Sequence, residues 1–297
     1  MRYFVTGATG HIGAAVVADL LAAGYQVIGL CRNEAKAAAL AATGAEVHRG
    51  SLEDADSLRR AAAGADGILH LAFNHDFSRF AANCEDDRRV VRILGAALAG
   101  SARPLIVTSG TPIANTVPGQ AAREDNAIVG ADLHPRAASE EAALAVAAQG
   151  VNVSVVRLPQ VHDPLRQGLI SFLIERYRAL GACVYVEDGG NRWPAAHRLD
   201  VARLYRLAAE AARPGARYHA VAEEGVPLRA IAETLGRRLG LPARSLPAAE
   251  APEVLGWISM FAGLDMPASS AQTRARLGWV PAGPGLLADL AALQTEL

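Results

Sequence analysis

The sequence predicts an α/β fold: a doubly wound parallel sheet followed by a smaller lobe. Three observations carry that prediction. Short apolar stretches alternate with helix-period stretches over residues 3–157. These short stretches are apolar along their whole length, as strands are when helices cover both faces of a parallel sheet. The first of them, residues 3–5, runs into a turn with glycines at positions 7, 10 and 13, after which Ile12, Val16 and Leu20 recur at the spacing of one helix face.

That opening turn is also the first functional signal. Gly7, Thr9 and Gly10 make the turn, and His11, Ile12 and Gly13 start the helix. Glycine there permits a tight turn, close approach of backbone to a diphosphate, and close packing of helix on strand. The free N–H groups and the positive end of the helix then hold the anion. Strand, glycine turn and helix in this order imply a dinucleotide site.

The remaining elements follow along the chain. A second strand over 26–30 comes after Gly24, a helix stop, and a helix over 34–42 leads to a third strand at 46–48. A helix at about 54–63, a fourth strand at 67–71, a long helix at about 84–99 and a fifth strand at 105–108 continue the alternation. A loop rich in Pro, Gly and Asn precedes a helix at about 135–149 and a sixth strand at 153–157. Beyond Pro159 the rhythm breaks into a helix at 169–180, a short strand at 183–186, a helix at 201–212, and a stretch near 217–222 placed to return to the sheet as an edge strand. Short helices and Pro/Gly turns follow from residue 227. Residues 1–160 therefore read as the nucleotide-binding domain and 161–297 mostly as a substrate-binding lobe over the carboxyl ends of the strands, where such folds take ligands.

With 297 residues, a formal net charge of −1 and 51% hydrophobic residues, the chain has core enough for a large domain plus a lobe, and no charge bias toward nucleic acid or anionic membrane. No apolar run reaches the roughly 20 residues of a spanning helix, and the first strand begins too early for a signal peptide to precede it. Cys31, Cys84 and Cys183 form no CxxC and no even disulfide framework, and the histidines show no HxH or HExxH pairing, so no metal site is expected. The reading is a cytoplasmic protein.

Carried by these motifs, the chain resembles the extended and atypical short-chain dehydrogenase/reductases, a Rossmann-like group that includes sugar-nucleotide epimerases and dehydratases. The resembling residues are Thr6-Gly7-Ala8-Thr9-Gly10-His11-Ile12-Gly13, Asp66-Gly67-Ile68-Leu69-His70-Leu71-Ala72, Val156-Arg157-Leu158-Pro159-Gln160-Val161, His197-Arg198-Leu199-Asp200-Val201-Ala202 and Leu277-Gly278-Trp279-Val280-Pro281. The resemblance implies that Ser51 and Leu52 flank an adenine, that Leu71, Ala72 and Phe73 line the diphosphate–ribose path with Thr108 beside it, and that Leu158, Gln160 and Val161 flank a nicotinamide. It places His70 and His197 at structural positions, and Asp200 at a loop anchor or helix cap. It also implies a homodimer formed through the helices near 84–99 and 135–149. One departure stands out. Members of the group carry a Tyr-x-x-x-Lys pair, the tyrosine acting as acid/base and the lysine holding the nicotinamide ribose. Aligned here, the lysine position is Arg136 and the tyrosine position Asp132, and no tyrosine lies between Tyr25 and Tyr177.

The end of the second strand selects the cofactor. A carboxylate there would bind the 2′-hydroxyl of NAD, whereas this chain has Arg32, with Lys36 a helical turn further on. A planar fork of donors suits a 2′-phosphate, so NADP(H) is expected over NAD(H). Hydride transfer to a carbonyl needs a donor near the oxygen. The candidates are Ser109 and Thr111 after strand five, His75 after strand four, which titrates near neutrality, and His134 as second choice. Arg136 binds ribose or stabilises negative charge without giving up its proton. Asn74, His75, Trp193, Trp257 and Phe261 are candidate substrate contacts, in keeping with the mostly apolar lining of such pockets. The function expected is NADPH-dependent reduction of a small, largely apolar carbonyl or related unsaturated compound with a non-tyrosine proton donor. The alternatives are a non-catalytic NADP-binding sensor and an isomerase or epimerase that recycles bound cofactor.

Overall fold

The computed structural model describes residues 1–294. Strand β1 (Arg2–Thr6) lies mid-sheet and shows why the sheet is buried on both sides. Its side chains alternate in direction. Tyr3 and Val5 enter one fully buried cluster and Phe4 another. Helix α1 (His11–Ala22) supplies Val16 and Leu20 to the first cluster, each contributing about 1.5–3 kcal/mol by burial. There follow β2 (Gln26–Cys31), α2 (Glu34–Ala42), β3 (Glu46–Arg49), α3 (Ala55–Ala63) and β4 (Gly67–His70). Asn33 and Asp54 cap α2 and α3 by accepting from the Lys36 and Ser57 N–H groups.

Helix α4 (Phe80–Leu98) begins earlier than the apolar period indicates, because Asp76 caps a helical turn at Phe77–Arg79 that runs straight into it. Then come β5 (Leu105–Gly110), α5 (Ala137–Ala147), β6 (Val153–Leu158) and β7 (Gln160–His162). After α6 (Leu169–Leu180), β8 (Cys183–Val186) and β9 (Arg192–His197), helix α7 (Arg198–Ala211) leads to β10 (Arg217–His219). The seven-stranded sheet has the order β3-β2-β1-β4-β5-β6-β10, and all its pairings are parallel. The order reverses between β1 and β4, and the crevice above that point is where such sheets bind ligands.

Val201, Leu204 and Tyr205 of α7 share a cluster with Val16 and Leu20 of α1. This helix therefore belongs to the layer covering the sheet, although its residues fall in the range read as lobe. It starts three residues earlier than the sequence reading, capped by the His197 side chain. Asp200 lies inside it and caps nothing. Its carboxylate accepts from the N–H groups of Ala282 and Gly283 and so anchors the closing segment. The opposite layer is α3, α4 and α5, where Leu58, Val90, Leu94 and Val146 pack beneath Phe4 and Ile68.

The lobe contains β11 (Glu223–Pro227), α8 (Leu228–Leu239), β12 (Ala243–Leu246), α9 (Ala251–Leu255), α10 (Ser259–Ala262), α11 (Ala271–Leu277) and α12 (Leu286–Ala291). It is built on two small sheets, β7-β9-β11 and β8-β12, that the sequence reading does not contain except for β8. Its core gathers Leu173, Tyr177, Trp193, Ile231 and Leu290.

Candidate active site

The glycine turn is a cradle whose shape depends on missing side chains. Gly7 has φ +70°, and a Cβ on it would lie 2.8 Å from Ala72 N. A Cβ on Gly13 would lie 2.0 Å from Gly7 O, so no other residue lets α1 approach the turn this closely. Among the described residues no side chain caps α1, its first turn holds no acid, and the N–H groups of His11, Ile12 and Gly13 meet no acceptor. Free donors at the positive end of a twelve-residue helix are what a diphosphate requires. The residues present therefore fit a dinucleotide. The His11 ring packs near Asp163 and Arg198. Burial holds its pKa below the ordinary histidine value, and its Nε2 has no partner among the described residues.

At the adenine end, Arg32 and Lys36 are exposed, and among the described residues Arg32 makes no ion pair. The acid nearest in sequence, Glu34, is held by Arg49 at 2.6 Å. Ser51 and Leu52 are half-buried after β3, and Ser51 hydrogen-bonds Glu53, whose pKa falls as a result.

At the switch point a chain of hydrogen bonds joins four elements. Thr6 Oγ1 accepts from the Leu71 and Ala72 N–H groups, both at 3.2 Å, which leaves its own proton for His70 Nδ1 at 2.7 Å. His70 Nε2 then donates to Asp87 Oδ1 at 2.9 Å. Asp87 Oδ2 accepts from Arg136 NH1 at 2.9 Å and from Ser139 Oγ, and Arg136 NH2 donates to Thr108 O at 2.9 Å. Burial raises the Asp87 carboxyl, but Arg136 and then His70 outweigh it and hold the pKa at about 2. Arg136 stacks on Phe73 at 4.5 Å and keeps 13% of its side chain exposed. It stands where the group carries lysine, in a chain whose one lysine is Lys36.

Thr108 Oγ1 donates to His70 O at 2.6 Å and accepts from Tyr205 OH at 2.7 Å. Tyr205 thus lies under the switch point, fully buried and engaged, with its pKa driven far up by burial. It is no substitute for the missing acid. Ser109 is 3% exposed, and its hydroxyl has no partner among the described residues. Thr111 reaches only Leu158 O, at 3.4 Å. Gln160 spends its side-chain oxygen on Leu169 N at 3.0 Å, Val161 is buried in the main core, and Leu158 is half-buried.

Beyond β4 the chain carries a wall of aromatic rings. Phe73, His75, Phe77 and Phe80 meet in edge, tilted and stacked contacts with centroids 5.4–6.3 Å apart. Phe77 stacks on Trp257 of the lobe at 4.3 Å and 12°, and Phe172 of α6 meets both. Phe261 sits behind Trp257 at 6.5 Å, and His134 lies edge-on to Phe80. His75 is exposed at its edge, yet the atoms packed around it and then the Arg136 charge lower its pKa; burial and Arg136 lower that of His134 as well. Asn74 is exposed and binds Asp76 N. Trp193 does not join this wall: it is fully buried in the lobe core and presents no surface to a substrate. The largest surface hollow, about 480 Å³, lies elsewhere, between α3 and α4 and lined by Arg59, Arg88, Arg89 and Arg92.

Sequence reasoning missed Thr6, Asp87, Ser139 and Tyr205, which no periodicity marks. It also missed Phe77 and Phe80, whose three-residue spacing after Phe73 was a visible signal. Among the described residues no group of three or more His, Cys, Asp or Glu is placed to hold a metal ion.

A family model described as NAD(P)H-binding matches residues 7–175, more than half the chain. The chain belongs to that family. A protein of Schizosaccharomyces pombe described as uncharacterized is 43% identical over 293 residues, covering 98% of this chain and 99% of its own. A Saccharomyces cerevisiae protein with the same description is 38% identical over 295 residues, 98% of each. The fold matches that of dTDP-glucose 4,6-dehydratase from Streptomyces venezuelae, solved with NAD bound, at TM-score 0.79 and 21% identity, over 98% of this chain and 95% of that one. These neighbours place the NAD(P)H-binding chain in the extended short-chain dehydrogenase/reductase superfamily, whose members include reductases, epimerases and dehydratases.

Proposed function

We propose that the chain is an NADPH-dependent cytoplasmic reductase of a small, largely apolar carbonyl or related unsaturated compound. The observation that carries the reading is the Arg136 guanidinium, pinned by Asp87, Ser139 and Thr108 beside the unpartnered Ser109 hydroxyl. When bound, the nicotinamide supplies a hydride to the carbonyl carbon. Ser109 hydrogen-bonds the carbonyl oxygen, and Arg136, fixed in advance, stabilises the negative charge that develops there. Arg136 keeps its proton. His75 passes a proton from water to that oxygen, so turnover rises as pH falls toward its lowered pKa. Thr111 orients the β5 end. Arg32, free of partners, takes the 2′-phosphate with Lys36 behind it, which supports NADPH over NADH. Leu144, 43% exposed on α5, and the neighbouring exposed alanines of α4 and α5 form the face for a homodimer.

The test is titration of the purified protein with NADPH and NADH by cofactor fluorescence, followed by a panel of aldehydes, ketones and enones. Tighter NADPH binding with substrate-dependent oxidation supports the reading. Tight binding with no oxidation across the panel overturns the reductase in favour of a sensor or an isomerase with recycled cofactor.

A further inference from the structure

The chain has six phenylalanines and three tryptophans. Five of those phenylalanines, at 73, 77, 80, 172 and 261, gather with Trp257 in one linked set of ring contacts. An apolar core would bury them. Instead Phe73, Phe77, Phe80 and Phe172 are half-buried and Trp257 is 40% exposed, whereas Phe4 and Trp193 elsewhere have no exposed surface. The cluster joins two bodies: Phe73, Phe77 and Phe80 follow β4 at the ligand end of the sheet, and Phe172, Trp257 and Phe261 belong to the lobe. Its centre is the near-parallel Phe77–Trp257 pair, 4.3 Å apart across that junction. The polar groups at its inner end are Arg136, over Phe73, and His75, beside it.

We propose that the site selects planar unsaturated carbonyl compounds, aryl aldehydes, aryl ketones or quinones, whose ring displaces the Phe77–Trp257 stack and lies against those faces. A flat π-system recovers the stacking that the displaced pair gives up, and a saturated ring of the same size does not. Its carbonyl then points inward to Ser109 and Arg136. The carbonyl rests on the reductase reading; the ring preference does not. The redox balance is one carbonyl compound, one NADPH and one proton giving one alcohol and NADP⁺: the C=O π bond breaks, the carbon gains the hydride and the oxygen gains the proton.

Two measurements test it. Naphthaldehyde and decalin carbaldehyde, one flat and one saturated, are compared as substrates with NADPH. The expected kcat/KM ratio is about tenfold or more in favour of the flat ring, falling toward unity in Phe77→Leu and Trp257→Leu. Naphthamide, which is not reduced, is titrated against intrinsic tryptophan emission. Because Trp193 and Trp279 are fully buried, quenching is expected to come from Trp257 and to vanish in Trp257→Phe, with decalin carboxamide giving none. Equal turnover of the two aldehydes, or quenching that survives in Trp257→Phe, overturns the proposal. If neither aldehyde is reduced, the reductase reading fails, and the naphthamide titration still decides the ring site.

Discussion

Arg136 and Arg157 stand near the carboxyl end of the same sheet, and each is paired with a carboxylate. Arg157 is fully buried and saturated: Nε and NH2 meet the two oxygens of Glu140 at 2.9 and 2.6 Å, and NH1 reaches His219 Nε2 at 3.1 Å. Arg136 is held as firmly on one side, by Asp87 and Thr108, but keeps an exposed edge and a ring beneath it. Both pairs carry the cost of desolvating charge. The difference is that all of Arg157 is spent on the fold, whereas part of Arg136 remains for a ligand. Position relative to the switch point, and not residue type, separates a structural arginine from a working one.

The sharpest way to break this comparison is to remove each carboxylate in turn. Glu140→Ala leaves a buried, unpaired guanidinium and should cost about 3–5 kcal/mol in denaturant unfolding. Asp87→Asn should cost far less stability, because Arg136 reaches water, yet should lower turnover by loosening Arg136. If Asp87→Asn unfolds as readily as Glu140→Ala, the two arginines are equivalent. Next in size, Arg136→Ala should lower kcat about 10²-fold in steady-state assays, the loss typical of one oxyanion donor, with Arg136→Lys recovering part of it.

The buried side of the comparison has a pH signature. Burial first, and the Arg157 charge second, hold His219 at about 3, against an ordinary value near 6.5. The unfolded chain therefore binds a proton that the native chain refuses. Stability is full above the unfolded value and is lost as pH falls from about 6.5 toward 3, by about 1.4 kcal/mol per unit. Chemical denaturation across pH should show that slope, and His219→Gln should flatten it. The smallest expected effect is at the adenine end. Arg32→Ala should cut the preference for NADPH over NADH about tenfold in paired titrations, equivalent to one charge-assisted contact; an unchanged ratio would remove the phosphate assignment.

The part of the site nearest the N-terminus was legible because its signals are local. A strand, three glycines and an amphipathic helix lie within twenty residues, and Arg32 sits just past the second strand. The network around Arg136 was not. Asp87 is 49 residues from Arg136, and His70 a further 17 from Asp87, and only the packing of α4 against β4 and α5 brings them together. Trp193 and Trp257 read alike in sequence, and only the fold shows that one fills the lobe core while the other faces Phe77. Strands β9, β11 and β12 escaped because they are short and carry Pro, Gly or charged residues, held by tertiary pairing and not by their own pattern.

The most direct test of the central claim is label transfer. NADPH deuterated at the transferable position is incubated with the protein and an aryl aldehyde, and the alcohol is examined by mass spectrometry. The account predicts one deuterium in the product from the wild-type chain and little product from Arg136→Ala. Tight cofactor binding with no labelled alcohol from any carbonyl offered would contradict it.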